Sequence, residues 1–524
     1  MSTAPRETSA WTIDESSGEP VYQQIAARLR AEITAGERTH GERLPAIRAL
    51  AATLGVHRDT VALAYEQLAE AGWVEARVGA GTFVRGAGTA SSEPEPGSQD
   101  APVRSAAAAP PPIRPMGVEG APVLSPQVER LITLENTRPR YATGEDVVAL
   151  HRLVPDARFY PVRDFHESID AAIREEGPEL FSYAAPEGDE RLRRSLADRF
   201  RKLGLDHSPA EHVLCHGASQ GISLALRLFT QPGDEVAVEV PTYANVLSAF
   251  AGLGLTAAPV RMDDEGPDAE ALDRSLARPE VKAFYTIPSF HNPLGTTASL
   301  ARRREILAIA NRHGVPVIED GFELDLRFRG PEIPPLAALD RSGLVVLLFS
   351  FSKSLFPGVR VGSLAARGRA LEGLVALKHS TDLSDALPLQ AGLARFIESG
   401  AYDRHLEQMR NVLRARHAAL DEALDHEMPQ GTTWTDPQGG YQRWVELPFE
   451  VDTRDRLADA ARAGVLYSPG SLFMPDARPS RAMRLTVACA DEAEIARGVA
   501  ALGEVFQERP GARRGSTARA GMHL

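Results

Sequence analysis

The stretch LFSFSKSLFPGVR, residues 348–360, places one lysine, Lys353, among serines and seven residues before Arg360. The apolar residues that precede the lysine predict a buried strand that delivers it into the interior. A lysine amine condenses with an aldehyde only when it is unprotonated, which desolvation or a neighbouring cation favours. The hydroxyls of Ser350 and Ser352 and the planar guanidinium of Arg360 can donate hydrogen bonds to a phosphate dianion. An isolated S-x-S-K is more often a surface turn. Together with the rest of the chain, however, this stretch predicts a Schiff-base lysine for an aldehyde that carries a phosphate.

Four further motifs lie upstream, each at the carboxyl end of an apolar run that predicts a strand. In G-A-S-Q-G, the backbone amides at the start of a predicted helix, with Ala218 and Ser219, would bind phosphate. Tyr243 follows the next run and can stack on an aromatic ring, although a lone tyrosine there is more often part of the core. Asn292 can hydrogen-bond a ring hydroxyl. Asp320 can pair with a protonated pyridine nitrogen, although a strand-end aspartate is also commonly a helix cap.

The joint order of G-A-S-Q, N-P-x-G, E-D and S-x-S-K, with Arg360 and Arg484, resembles the fold-type I pyridoxal 5'-phosphate enzymes of the aspartate aminotransferase superfamily over about residues 131–505. The resemblance implies an α/β fold with a large and a small domain, and pyridoxal 5'-phosphate as the cofactor. Arg484, which on its own reads equally as an ordinary ion-pair residue, would bind a substrate carboxylate. The other implied roles are the Schiff base for Lys353, the ring nitrogen for Asp320, the ring hydroxyl for Asn292, and the phosphate for Ala218, Ser219, Ser350, Ser352 and Arg360.

Tyr183 lies in the motif Y-A-A-P-E-G. It matches the tyrosine that members of this superfamily lend to the phosphate of the neighbouring subunit. The resemblance therefore implies a homodimer with shared sites.

Phe322 departs from the superfamily, because most relatives have a tyrosine two residues after the ring-nitrogen aspartate. The hydroxyl of that tyrosine donates to the ring oxygen of the cofactor. Without this donor the protonated form of the Schiff base is favoured, so we expect its pKa to be higher here than in relatives.

The N-terminal part, residues 16–86, shows a different pattern. Ile25, Leu29 and Ile33 lie on one helical face, and two more helical runs lie on either side of Gly55. Two short strand-like runs then flank a glycine-rich tip that can approach a phosphate backbone closely. Helix, turn, helix and hairpin together predict a winged helix-turn-helix, mostly α with a β wing.

The motifs L-P-A-I-R-A-L-A, L-G-V-H-R-D-T-V and G-A-G-T-F-V closely resemble the GntR-family DNA-binding domain over residues 20–85. The resemblance implies that the helix opening at His57 enters the major groove, while other arginines and the wing contact phosphates. Ala46 and His57 depart from the family, which usually has serine at the first position and serine or asparagine at the second. Whether His57 reads a base or contacts the backbone stays open. The predicted DNA contacts are Arg48, His57, Arg58, Thr60, Arg77, Gly79 and Gly81.

The charge of this region supports DNA binding only weakly. Residues 20–85 contain eight arginines and seven acidic residues, and the whole chain has a formal charge of −13. DNA therefore repels the chain except where arginines cluster. We expect binding to require a dimer and a specific site, and a winged helix used only for protein contacts is the alternative.

A length of 524 residues and a hydrophobic content of 43% suit a multidomain protein. Residues 87–125, rich in Ala, Pro, Ser and Gly, cannot bury a core and predict a flexible linker between parts 16–86 and 126–508. Residues 1–15 and 509–524 are predicted to be disordered. The two cysteines are too few for a disulfide frame, the histidines include no ligand-spaced pair for a metal, and no segment resembles a signal peptide or membrane span. These features predict a cytoplasmic protein.

A GntR-type winged helix tethered to an aminotransferase-like part resembles the MocR subfamily of bacterial transcription regulators over nearly the whole chain. The resemblance implies a head-to-tail homodimer that binds double-stranded operator DNA. Its effector would be pyridoxal 5'-phosphate itself, or an amine or amino acid that joins to it as a Schiff base. An aminotransferase with an accessory DNA-binding part is the alternative, and a third hypothesis makes the cofactor a structural ligand only.

Overall fold

The computed structural model describes residues 21–35, 37–56, 58–70, 73–77, 81–84, 123–139 and 147–507. The chain divides into two compact units on either side of about residue 107. Several predictions concern residues outside the described ones, namely the disorder of residues 1–15 and 509–524, most of the linker 87–125, and the DNA contacts of His57 and Gly79. The side chains of Arg48 and Arg77 are also outside the description.

The described part of the N-terminal unit contains three helices and a two-stranded hairpin, as the winged helix-turn-helix prediction requires. The turn between the second and third helices begins at Gly55, whose φ of 67° lies in the left-handed region that glycine adopts without strain. The hairpin strands are antiparallel, with Val74 opposite Val84. The elements are α1 (Val21–Thr34), α2 (Ile47–Leu54), α3 (Arg58–Glu70), β1 (Val74–Arg77) and β2 (Gly81–Val84).

The three helices enclose a small apolar core. Ile25, Leu29 and Ile33 of α1 are all buried, as their helical spacing predicts. Tyr65 of α3 packs in the same core and donates its hydroxyl hydrogen to the Pro45 carbonyl oxygen at 2.8 Å. That hydrogen bond ties the third helix to the segment that leads into α2.

An eight-stranded sheet forms the centre of the C-terminal unit, in the order β4-β11-β10-β9-β8-β5-β6-β7. Strands β5, β6, β8, β9 and β10 are parallel, and β11 is antiparallel to both of its neighbours. Strand β4 therefore runs in the same direction as β10. The large-domain strands are β4 (His212–Cys215), β5 (Glu235–Val240), β6 (Thr256–Asp263), β7 (Gly266–Pro267), β8 (Val281–Thr286), β9 (Val317–Asp320), β10 (Val345–Ser350) and β11 (Gly362–Ala365).

Helices cover this sheet, because its central strands are apolar on both faces. Those that precede or follow its strands are α4 (Pro126–Thr137), α5 (Val162–Glu176), α6 (Glu190–Arg201), α7 (Ala218–Phe229), α8 (Ala244–Leu253), α9 (Ala269–Leu276), α10 (Leu300–His313), α11 (Leu336–Leu339), α12 (Phe351–Ser354), α13 (Gly368–Asp382) and α14 (Leu387–Glu398).

The smaller domain follows a long helix, α15 (Ala401–Glu427), and contains a four-stranded antiparallel sheet in the order β12-β13-β16-β15. A separate parallel pair joins β3 (Val148–Ala149) to β14 (Val465–Leu466). The remaining elements are β12 (Thr433–Trp434), β13 (Gln442–Glu446), α16 (Leu457–Arg462), β15 (Ser468–Pro469), β16 (Ala482–Thr486) and α17 (Glu492–Gln507). Among the described residues, no helix combines the length and apolar character needed to cross a bilayer.

Candidate cofactor site and DNA-binding unit

The predicted cofactor residues follow strands whose carboxyl ends meet at one edge of the large sheet. Lys353 lies three residues after β10, Asp320 ends β9, and Tyr243 follows β5 by three residues. Asn292 lies in the loop after β8, and Ala218 opens α7 after β4. Ligand sites of open α/β sheets lie at this edge, since loops from several parallel strands converge there.

Lys353 lies on the short helix α12 and is partly buried. Its amine donates a hydrogen bond to the carbonyl oxygen of Leu153. Burial lowers the pKa of Lys353; the Glu323 carboxylate opposes this change, and the cations Arg484 and Arg360 reinforce it. The site therefore favours the unprotonated amine, the form that attacks an aldehyde.

Asp320 is 1% exposed and is held by two donors. The Tyr285 hydroxyl donates to its Oδ2 at 2.6 Å, and the Phe322 backbone N–H donates to its Oδ1 at 3.1 Å. Burial raises the pKa of Asp320 to about 6, and the hydrogen bond from Tyr285 opposes this rise. A cationic ring nitrogen beside this carboxylate would restore its charged form.

Arg484 lies on β16 of the smaller sheet and contacts Asn292, which lies in the loop after β8 of the large sheet. Its Nη1 lies 3.1 Å from Asn292 Oδ1, and its Nη2 donates to the His151 carbonyl oxygen at 2.8 Å and to Ser468 Oγ at 3.1 Å. The guanidinium carbon also lies 5.0 Å from the centre of the Phe473 ring. The structure thus brings Arg484 to the predicted cofactor residues, although they are distant in sequence.

The phosphate-binding residues predicted around Gly217 and Arg360 form a tight cradle. Arg360 Nη2 donates to the His216 carbonyl oxygen at 2.7 Å. Gly217 has a φ of 75°, and a Cβ there would lie 3.1 Å from the Arg360 guanidinium nitrogens, so a side chain would crowd the arginine. Ser350 Oγ accepts a hydrogen bond from the Ser352 N–H at 3.2 Å.

Ser352 and Ser219 differ in their surroundings within this cradle. The buried Ser352 Oγ has no hydrogen-bond partner within the part of the chain that the structure describes. Ser219 is exposed in the first turn of α7, beside the backbone amides that start the helix. A free hydroxyl, a guanidinium and a helix N-terminus fit a phosphate group.

Tyr243 and Tyr183 lie in contrasting environments. Tyr243 is partly buried, and its hydroxyl oxygen accepts a hydrogen bond from Asn245 Nδ2 at 2.8 Å. Tyr183 is 84% exposed in this chain. Its prediction concerned a neighbouring subunit, which a single chain does not test.

Four residues near the site were missing from the sequence prediction: Tyr285, Glu323, His151 and Leu153. Tyr285 lies inside an apolar strand, where a tyrosine is ordinarily a core residue. His151 and Leu153 act through their backbone carbonyl oxygens, for which side-chain identity carries no signal. Glu323 lies in a segment after Asp320 where charged and apolar residues alternate, so its charge alone does not distinguish it from its neighbours.

His216, Asp382 and Asp385 offer ligand atoms that lie within 4.8 Å of one another. The Lys378 ammonium, however, lies 2.8 Å from Asp382 Oδ1 and 2.7 Å from Asp385 Oδ1. Lys378 therefore pairs with both carboxylates, and the His216 ring completes this ion network, with its Nε2 2.9 Å from Asp385 Oδ1.

The N-terminal unit presents two of the predicted DNA contacts on α3. Arg58 is exposed at the first position of the helix, and Thr60 is partly exposed two residues further on. Arg48 lies on α2, Arg77 ends β1 and Gly81 opens β2. The N-terminal turn of the second helix of a helix-turn-helix is the part that reaches base edges.

Two family models match separate parts of the chain. The model "Aminotransferase class I and II" matches residues 158–502, and the model "Bacterial regulatory proteins, gntR family" matches residues 21–84. The chain belongs to the aminotransferase class I and II family. Its gntR-family unit adds a DNA-binding domain of the helix-turn-helix type, which gives the chain the two-part architecture of MocR and similar regulators.

Relatives include both enzymes and regulators. Aromatic-amino-acid aminotransferase 1 of Thermococcus litoralis is 32% identical, covering 69% of this chain and 88% of the relative. The probable rhizopine catabolism regulatory protein MocR of Rhizobium meliloti is 27% identical, covering 94% of this chain and 95% of the relative. The crystal structure of LysN, an α-aminoadipate aminotransferase of Thermus thermophilus complexed with N-(5'-phosphopyridoxyl)-L-leucine, has a TM-score of 0.65 and 29% identity, covering 73% of this chain and 95% of that one.

Phe322 is buried beside Asp320 and brings no hydroxyl to the site. With cofactor bound, Phe322→Tyr is expected to lower the spectral pKa of the Lys353 linkage by roughly one unit, equivalent to about 1.4 kcal/mol, because the new phenol would stabilise the ring oxygen anion. A spectrophotometric pH titration of both proteins measures this. An unusually acidic transition in the unaltered protein, or none of the expected lowering in the variant, would contradict the role assigned to this position.

Proposed function

We propose that this chain is a transcription regulator that binds operator DNA through residues 21–84 and binds pyridoxal 5'-phosphate at Lys353. The proposal rests on one observation: the same chain contains a gntR-family unit and a site where Lys353 and Asp320 lie at the edge of the large sheet and Arg484 contacts Asn292. The regulator relative that spans both parts supports the same conclusion.

Pyridoxal 5'-phosphate supplies an aldehyde that joins to amines and an electron-withdrawing ring. Lys353 offers a partly buried amine of lowered pKa for the aldehyde. Asp320 offers a carboxylate for the ring nitrogen, and Asn292 an amide for the ring hydroxyl. Arg360 and the start of α7 offer a guanidinium and backbone amides for the phosphate, with Ser350 and Ser352 beside them.

The effector in this proposal is the cofactor itself, or an amine that also carries a carboxylate or a similar anion. The amine requirement follows from exchange with Lys353. The anion requirement follows from Arg484, whose planar guanidinium binds a carboxylate bidentately. The Arg484 partners described above, Asn292, Ser468 and the His151 carbonyl oxygen, are neutral hydrogen-bonding groups.

A homodimer, arranged head to tail, completes the site in this proposal. Tyr183 is 84% exposed and Phe181 is 68% exposed, an unusual exposure for neighbouring aromatic side chains. Burial of this segment against a second copy would remove both rings from water, and would let Tyr183 reach the phosphate of the partner's site.

Effector binding would change DNA binding by a population shift. An effector amine that took the place of Lys353 would free the lysine, and its anion would draw Arg484 and the smaller sheet toward the ligand. A ligand shifts such an equilibrium only by the difference between its affinities for the two states. The effector must therefore bind the DNA-competent and DNA-incompetent forms unequally.

A second candidate function is a catalytically active aminotransferase with an accessory DNA-binding unit. The complete set Lys353, Asp320, Asn292, Arg360 and Arg484 favours it, as does the 32% identity to an aromatic-amino-acid aminotransferase. Repeated turnover of an amino donor with a keto acid would support this candidate, whereas a single half-reaction without turnover is compatible with the regulator.

Arg58→Ala is expected to weaken binding to the DNA upstream of the chain's own coding region by roughly tenfold to a hundredfold, because a guanidinium at a base edge contributes about 1–3 kcal/mol of discrimination. Arg30→Ala, which removes the same charge from an exposed position on α1, is the matched control. Fluorescence anisotropy against specific and scrambled duplexes measures both variants. Equal losses for the two variants on both duplexes would show that Arg58 contributes charge alone, and would contradict its placement in the groove.

A further inference from the structure

Tyr285 is a buried tyrosine that contacts Asp320, the residue assigned to the ring nitrogen of the cofactor. It lies on β8 with an exposure of 0%, in an apolar cluster that includes Ile318 and Leu348. Leu348 of β10 also lies opposite Asp320 in the sheet. A hydroxyl in such surroundings is costly unless it is hydrogen-bonded. The Tyr285 hydroxyl meets this need by donating to Asp320 Oδ2 at 2.6 Å.

The pairing of β8 with β9 explains this contact. The two strands are parallel neighbours, with Tyr285 opposite Ile318 and Thr286 opposite Glu319. Because side chains two residues apart point to the same face of a strand, Asp320 lies on the face shared by Ile318 and Tyr285. A position inside β8 thus supplies a hydrogen-bond donor to the residue that ends β9.

Each carboxylate oxygen of Asp320 accepts a hydrogen bond from the protein. Oδ2 accepts from the Tyr285 hydroxyl, and Oδ1 accepts from the Phe322 N–H at 3.1 Å. Donors on both oxygens fix the rotation of the carboxylate plane, and each oxygen keeps a further lone pair for a ligand. Hydrogen bonds to the charged form of an acid also favour that form over the neutral one. The phenol therefore acts on both the direction and the charge of Asp320.

Other titratable groups face this pair from neighbouring elements. Burial raises the pKa of Asp320, and the adjacent Glu319 on β9 raises it further. Burial also raises the pKa of the Tyr285 hydroxyl, and the charge of Asp320 adds to this rise, as do Tyr243 after β5 and Glu239 on β5. Tyr285 therefore remains a hydrogen-bond donor while Asp320 titrates.

We propose that Tyr285 is a positioning residue of the cofactor site, whose hydroxyl holds the Asp320 carboxylate in the direction and the ionised form that pair with the ring nitrogen. This inference rests on the proposed function, because it concerns the carboxylate that the proposed cofactor requires. In this role Tyr285 acts through Asp320, since an ionised carboxylate forms an ion pair with a protonated ring nitrogen and a neutral carboxyl does not.

Tyr285→Phe removes the hydroxyl and keeps the ring that packs with Ile318 and Leu348, so the fold should tolerate it. Without the donor, Asp320 should stay protonated up to a higher pH. The affinity of the unaltered protein for the ring should fall on acidification with a midpoint near pH 6. In the phenylalanine variant this midpoint should rise by about one unit, which makes the affinity between the two midpoints roughly tenfold lower.

Calorimetric titration of the cofactor-free, full-length proteins with pyridoxamine 5'-phosphate over a range of pH measures this. The probe carries the ring and phosphate of the cofactor but no aldehyde, so Lys353 forms no covalent bond with it. Tyr467→Phe is the matched control, because Tyr467 is a buried tyrosine of the smaller domain whose hydroxyl donates to the Thr453 carbonyl oxygen. Its midpoint should equal that of the unaltered protein.

A second arm uses the Asp320→Asn background, which has no carboxyl to titrate at this position. There, Tyr285→Phe should leave the pH profile unchanged, because the group through which it acts is gone. A shift that persists in this background would overturn the inference.

The pH profile separates a positioning role from a merely structural one, which would weaken binding equally at every pH. Such an equal loss in Tyr285→Phe, an unmoved midpoint, or a shift of the same size in Tyr467→Phe would overturn the inference. Binding to the unaltered protein without any acid transition would overturn it as well, since Asp320 would then not titrate. Failure of the unaltered protein to bind the probe at any pH would instead overturn the proposed function.

Discussion

Lys353→Ala is expected to abolish the response of DNA binding to added amines while leaving the DNA affinity of the cofactor-free protein nearly unchanged. The reason is that Lys353 is the amine at the carboxyl edge of the sheet, beside Asp320 and Arg484, whereas the DNA contacts lie in a separate unit. Without Lys353 there is no covalent partner for an effector to replace. Absorbance of the bound cofactor and anisotropy on the upstream DNA measure the two properties.

Lys282→Ala is the matched control for this variant. Lys282 is exposed on β8, and its amine donates to the Pro279 carbonyl oxygen at 2.7 Å, away from the cofactor residues. It should retain both cofactor absorbance and the amine response. A Lys353 variant whose amine response equals that of the control would refute covalent sensing, and would leave the cofactor as a structural ligand only.

Asp320→Asn should weaken cofactor binding by about 3 kcal/mol, or roughly a hundredfold, because it breaks a buried ion pair with the ring nitrogen. The substitution preserves the shape of the side chain. Its amide oxygen can accept from the Phe322 N–H and its NH2 can donate to the Tyr285 hydroxyl oxygen, so the fold should tolerate it. Since the pKa of Asp320 is raised to about 6 by burial, cofactor binding to the unaltered protein should also weaken as the pH falls through that value.

Titration of cofactor-free protein with pyridoxal 5'-phosphate over a range of pH tests both statements. In the asparagine variant the loss of affinity near pH 6 should disappear, because the titrating carboxyl is gone. Asp425→Asn, at an exposed position of α15, should behave as the unaltered protein. Equal affinities and equal pH profiles for all three proteins would rule out the pairing of Asp320 with the ring.

Much of the cofactor site could be predicted because its residues occupy one repeated position, the carboxyl end of a parallel strand. Asp320, Asn292 and Lys353 follow apolar runs, and strands of this kind deliver their following residues to the same edge. The helix-turn-helix was predictable for a similar reason, since helical spacing placed Ile25 and Leu29 on a buried face.

The residues that escaped prediction depend on contacts between distant parts of the chain. Tyr285 donates to Asp320 because β8 and β9 are neighbours, which the strand's own pattern does not reveal. Glu323 acquires its environment from Gly440 and Tyr441, which lie far from it along the chain. The roles of Tyr285 and Glu323 are therefore defined by their tertiary partners and not by the local sequence.

Fluorescence anisotropy of the full-length protein on the DNA upstream of its own coding region, with and without pyridoxal 5'-phosphate, tests the central claim most directly. A scrambled duplex at moderate salt is the competitor, since electrostatic binding alone weakens as salt increases. The account predicts tight, competitor-resistant binding whose affinity shifts when the cofactor is added. Weak, salt-sensitive binding that the scrambled duplex removes, and that the cofactor does not change, would contradict it and favour the aminotransferase.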